Sequence, residues 1–121
     1  MIFLYLLPLA AFAQDEVSIT MSLSKDVISV DDQVYLTITV AGTVQNLPSP
    51  ELPNLSMFDV YSQGTATNFT IVNGSMESSV KYNYILSPRK EGTFVIKPAV
   101  IAYNRKRYES NEIVLKVVDS K

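Results

Sequence analysis

From Val17 onward the chain alternates. In Val17-Ser18-Ile19-Thr20-Met21-Ser22-Leu23 every second residue is apolar and the residues between are serine or threonine. A strand sends successive side chains to opposite faces, so the run predicts a strand with one face buried. The pattern returns after the polar Asp31-Asp32-Gln33 turn, in Val34-Tyr35-Leu36-Thr37-Ile38-Thr39-Val40, and Gly42 closes it. Residues 47–55 hold Pro48, Pro50 and Pro53, which remove amide donors and fix φ, so this stretch predicts an extended connection and not a central strand. Residues 58–61 read as a short strand and residues 67–72 as another, leading into Asn73-Gly74. That dipeptide accepts positive φ at both central positions of a type I′ turn and predicts a β-hairpin. Its second arm runs through Val80, Tyr82, Tyr84 and Leu86 to Pro88.

A turn over residues 89–92 and a strand over 93–97, ended by Pro98, come next. Residues 99–103, the Asn104-Arg105-Lys106 turn and residues 107–118 predict a last hairpin. Seven to eight strands with no helical period over any long window predict an all-β fold, an immunoglobulin-like antiparallel β-sandwich. The expected core is Val17, Ile19, Leu36, Ile38, Tyr84, Phe94, Ile96, Leu115 and Val117.

A different pattern precedes the strands. Residues 2–12 are apolar apart from Tyr5 and Pro8, and they run into Ala11-Phe12-Ala13, the small-x-small sequence that a signal peptidase cuts after. Residues 1–13 are therefore expected to be a secretory signal peptide, and 14–121 a single immunoglobulin-like domain. As a membrane anchor the run is short, because crossing hydrocarbon takes about 20 apolar residues.

Composition narrows the chemistry. The sequence has no cysteine and no histidine, which removes disulfides, thiolate nucleophiles and the commonest metal ligand and general base near neutral pH. The reading is of a non-enzyme without cofactor or catalytic residues. A net charge of −2 argues neither for nucleic acid nor for an acidic membrane surface. Its distribution is uneven, with eight acids against Lys25 alone in residues 1–80 and nine bases against four acids in 81–121. Strands interleaved from the two halves are expected to mix these charges.

Three constellations remain. Asp26, Asp31 and Asp32 offer hard oxygen ligands for Ca²⁺, although Asp is ordinary in turns for its own hydrogen-bonding reasons, and the solvated turn is favoured. Of the seven tyrosines, Tyr82 and Tyr84 share a face with Val80 and Leu86 and are expected in or beside the core; Tyr35 and Tyr61 are the surface candidates for stacking on a carbohydrate. Arg105, Lys106 and Arg107 fall at a predicted hairpin tip, either as a solubilising turn or as an electrostatic contact for an acidic partner. Asn54, Asn68 and Asn73 head N-x-S/T triplets, acceptors for glycosylation only in a eukaryotic secretory route.

One ordered series of motifs spans nearly all of this. It comprises Val27-Ile28-Ser29-Val30 running into the second alternating strand, Pro50-Glu51-Leu52-Pro53 before Phe58-Asp59-Val60, and the Asn73-Gly74 turn. It continues with Tyr82-x-Tyr84-x-Leu86-x-Pro88-x-x-x-Gly92-x-Phe94-x-Ile96-x-Pro98 and Tyr108-x-Ser110. The series resembles the N-terminal domain of BatD, the Bacteroides-type oxygen-tolerance (aerotolerance) proteins. The resemblance implies an exported envelope protein, in the periplasm or on the outer side of the cytoplasmic membrane, with no known catalytic residues. It further implies partners among MoxR-type ATPases and von Willebrand A-domain proteins, in a membrane-associated assembly. Members of the family are longer chains with further β domains and a membrane helix near the C-terminus, so membrane association is expected from downstream sequence. Where immunoglobulin folds place a corner tyrosine, this chain has Phe94, which can pack but cannot make the corner hydrogen bond.

Overall fold

The computed structural model describes residues 16–119, and among them there are nine strands and no helix. The two alternating runs form β1 (Val17–Leu23) and β3 (Val34–Gly42), with β2 (Val27–Ser29) between them. Then follow β4 (Phe58–Val72), β5 (Ser75–Pro88), β6 (Gly92–Ile96), β7 (Val100–Tyr103), β8 (Lys106–Glu109) and β9 (Ile113–Val118). The expected signal peptide, residues 1–13, lies outside the described residues.

Sheet order follows from the hydrophobic alternation. A one-residue slip would turn a strand's apolar set to solvent, so register is set by which face is buried. In β1–β3 the antiparallel register runs from Val17↔Gly42 to Leu23↔Leu36, which stacks Ile19 on Val40 and Met21 on Ile38. β5 continues that face, with Leu36↔Tyr84 and Val34↔Leu86, and β4 adds the fourth strand. The resulting order is β1-β3-β5-β4. A second layer, ordered β2-β9-β6, and the two-stranded β7–β8 sheet complete the sandwich. The apolar faces meet in one buried cluster in which Val34, Leu36, Ile38, Val40, Leu86, Ile96, Ala99 and Leu115 are fully inaccessible to solvent. Among the described residues no buried side-chain polar atom lacks a hydrogen-bond partner.

Several sequence expectations are refined. The two short strands read in residues 58–61 and 67–72 are one fifteen-residue strand, β4. Its alternation is broken by a β-bulge between Ser62 and Gly64, with Gly64 at φ +103°, and the polar Ser62-Gln63-Gly64-Thr65 run carries no period that would bridge the gap. β2 pairs with β9 in parallel, so the sandwich is not purely antiparallel, and three residues are too few to show a pattern in sequence.

The long arm expected over 107–118 is broken into β8 and β9, in different sheets. The break is held by Ser110, whose backbone N–H donates to the Ala99 carbonyl (2.9 Å). Its hydroxyl accepts from the Ala99 amide (2.9 Å) and donates to the Asn111 carbonyl (2.9 Å).

Of the expected core, Tyr84 and Phe94 pack against the buried cluster but stay partly exposed, while Phe58 is 2% exposed. Strands of the two halves interleave as expected: residues 81–88 of β5 lie between β3 and β4, β2 lies beside β9, and Arg89 pairs with Asp59 at 2.8 Å.

Candidate interaction surfaces

β7 and β8 form a hairpin with Ile101↔Tyr108 on one face and Ala102↔Arg107 on the other. Ile101 is 1% exposed, and Tyr103 and Tyr108 lean on the core, so this hairpin is anchored from within. Its outer base is anchored as well: the proline-rich connection lays Glu51 against Val100, each amide donating to the other's carbonyl at 2.7 and 3.2 Å.

The tip of this hairpin breaks a local rule. Asn104 and Arg105 both have positive φ, +54° and +66°. The other hairpin makes its turn with Asn73 at +51° and Gly74 at +82°. Glycine takes this conformation freely, whereas in a residue with a side chain Cβ crowds the carbonyl oxygen at a cost of roughly 1–2 kcal/mol. At the tip, Arg105, Lys106 and Arg107 are all solvent-exposed. They border a shallow groove of about 390 Å³ lined also by Ser49, Glu51, Val100 and Ala102. Arg107 makes an exposed ion pair with Glu109 at 3.5 Å, which solvent and salt screen. The basic residues therefore face outward on a hairpin whose base is anchored.

A second surface lies on the outer face of the four-stranded sheet. Tyr35↔Ile85 and Tyr61↔Ile85 are register partners, so the two tyrosines singled out in the sequence flank Ile85 in one row across β3, β5 and β4. They are 52% and 55% exposed. In the next row the Thr37 hydroxyl donates to Asn83 Oδ1 at 3.0 Å, and Gly64 leaves an open step beside them. Tyr82 and Tyr84 are on the opposite face, packed against the core as their alternation requires. Burial pushes the Tyr84 phenol above its ordinary pKa, and the neighbouring Tyr82 adds to the shift.

The third surface had no sequence signal. The hairpin of β4 and β5 runs past the second layer, leaving Phe69, Ile71 and Met76 62%, 75% and 46% exposed. Local pattern could not reveal it, because residues 67–72 alternate as a half-buried strand does, and only the missing cover makes them surface.

Of the acidic trio, Asp31 and Asp32 serve the turn after β2, while the Asp26 carbonyl accepts from the Lys116 amide at 3.0 Å. Asp32 Oδ2 accepts from the Ser29 amide at 3.1 Å, the Asp32 amide donates to the Ser29 carbonyl at 3.0 Å, and the Asp31 amide donates to Ser29 Oγ at 3.3 Å. Those bonds close the turn after β2. Among the described residues no group of three or more acidic side chains is arranged to hold a metal ion.

Comparison with known proteins gives one match: the family described as BatD DUF11 like domain matches residues 21–117. No curated protein and no solved structure matches the chain.

Proposed function

The chain belongs to the BatD family, and from that premise we propose that it is an exported, non-enzymatic protein-interaction or scaffolding module of the cell envelope. In this reading the module works in the periplasm or on the outer side of the cytoplasmic membrane. Its partners are envelope proteins, by family resemblance among MoxR-type ATPases and von Willebrand A-domain proteins, in a role tied to oxygen tolerance. The contact is the basic tip of Arg105, Lys106 and Arg107, which meets an acidic surface.

The observation that carries the proposal is the backbone of Arg105. A turn that Asn-Gly makes without strain elsewhere in the same molecule is made here with an arginine at φ +66°. Strain held at an exposed loop tip points to function, since packing gains nothing from it. Exposed bases at the rim of an interface act mainly on association rate and partner choice, which suits a module that must find one acidic partner among many.

Charge reversal of all three bases tests this. Because the side chains are exposed, each change should alter stability by no more than about 0.5 kcal/mol. The folded triple variant should recover its envelope partners poorly in a pull-down, and the difference between the unmodified chain and the variant should shrink at high salt, which screens the contact. Undiminished recovery of every partner would remove the tip from the account.

A further inference from the structure

We propose that the chain pairs with a second copy of itself along β4, antiparallel about a two-fold axis at Asn68, so that two four-stranded sheets become one sheet of eight. The four-stranded sheet has two edges, and they are treated differently. On β1 the Asn111 side chain takes the place of a neighbouring strand, accepting from the Met21 amide at 2.9 Å and donating to the Met21 carbonyl at 3.0 Å. Among the described residues no strand pairs with the outer edge of β4. Natural edges are blunted by charge, proline, bulges or cover. From Val60 to Val72 β4 has no charged residue and no proline. Its single bulge lies at Ser62/Gly64, leaving Thr65 to Val72 as a regular run up to the turn.

The occupant follows from that run. Pairing two copies about Asn68 uses Thr65 to Ile71 of each, seven residues. A two-fold interface requires a surface complementary to itself, and this register meets the requirement. Phe69 falls opposite Thr67 of the second copy, Thr70 opposite Ala66, and Ile71 opposite Thr65, so neither large apolar residue meets its own twin.

The next strands in bring no like charges together. Thr70 is paired with Glu77 and Ala66 with Lys81 within one chain. Across the axis the row therefore reads Glu77, Thr70, Ala66, Lys81, with opposite charges three strand spacings apart, about 14 Å between backbones, over two small residues. By symmetry the row occurs twice. On the other face the row through Ile71 gains Thr65 and Tyr82 of the second copy as neighbours of Met76 and Ile71. That lays backbone and side chains beside Ile71, at 75% the most exposed large apolar residue among the described residues.

The chain contains no cysteine, so one engineered thiol gives an unambiguous report. Directly opposed residues of an antiparallel pair have Cα atoms about 4.5–5.5 Å apart, within disulfide range. Under mild oxidation Asn68→Cys should give a covalent dimer. Thr70→Cys alone should not, because its twin lies about four residues or 14 Å along the strand. An equal mixture of Thr70→Cys and Ala66→Cys chains should cross-link to each other. In sedimentation velocity the purified chain should show a dimer that grows with concentration, and Asn68→Lys, which opposes two like charges at the axis, should weaken it at least about tenfold. A chain that sediments as a monomer at every concentration, equal cross-linking of Asn68→Cys and Thr70→Cys, or capture of a foreign strand by a monomeric chain would each overturn the proposal. Should Asn68→Lys fail to fold, the thiol pattern alone decides.

Discussion

Phe58 and Phe94 meet edge to face with ring centroids 5.9 Å apart, and the difference in their burial sets what each is worth. Phe58 is 2% exposed, so Phe58→Ala removes a buried ring and should cost about 3–5 kcal/mol in urea unfolding. Phe94 is only partly buried, and its truncation should cost clearly less. The double variant should show a coupling of about 0.5–1.5 kcal/mol, the worth of an aromatic pair beyond its area. Sequence reading reached Phe94, since Pro88 ends one strand, Gly92 turns and the next ring plugs the space. Phe58 was not legible as the partner, because that contact depends on the Phe58↔Pro88 register at the open end of the long β4–β5 hairpin, which the bulge at Ser62/Gly64 shifts.

Tyr84 adds a pH signature. Its pKa is raised in the folded state, so the native chain holds this proton more tightly than the unfolded one. The contribution is fully present below the unfolded tyrosine pKa of about 10 and is lost as pH rises through the folded value. Stability should therefore fall in alkali above about pH 10, and Tyr84→Phe should flatten part of that fall while leaving the neutral range unchanged.

Among the elements, those with long uninterrupted alternation were legible in residue detail. β1 occupies Val17–Leu23, where every second residue is apolar, and the Asn73-Gly74 turn joins β4 to β5 as its dipeptide requires. What escaped was set by contacts between elements. β2 is three residues beside β9, β4 continues through a bulge, and β8 parts from β9 at Ser110. Asn111 shows the kind of device that pattern reading misses, a polar residue in a polar stretch whose amide completes the ladder of a strand ninety residues away. Asn111→Ala should cost about 1–2 kcal/mol, the net worth of two hydrogen bonds, and should speed hydrogen exchange at the Met21 amide selectively. If Met21 keeps its protection, the edge of β1 is guarded by something else.

At the scale of the whole molecule, the chain is a sandwich whose chemistry lies on its surface. In the proposed function what it offers other molecules is shape, edge and charge. The basic tip was legible as Arg105, Lys106 and Arg107 because charged residues between two strand patterns mark a turn. The strain at Arg105 was not legible, because the φ of a turn residue depends on how the flanking strands twist. In the proposed function that strain marks the tip as the contact. Arg105→Gly removes one charge and relieves the backbone, so it should hold or raise stability, by up to about 1 kcal/mol. The most direct measurement is recovery of envelope partners by this variant at matched folded concentration. If the tip is the contact, recovery falls although the fold is as stable or more so; a stabilised Arg105→Gly chain that recovers the same partners undiminished rules the tip out.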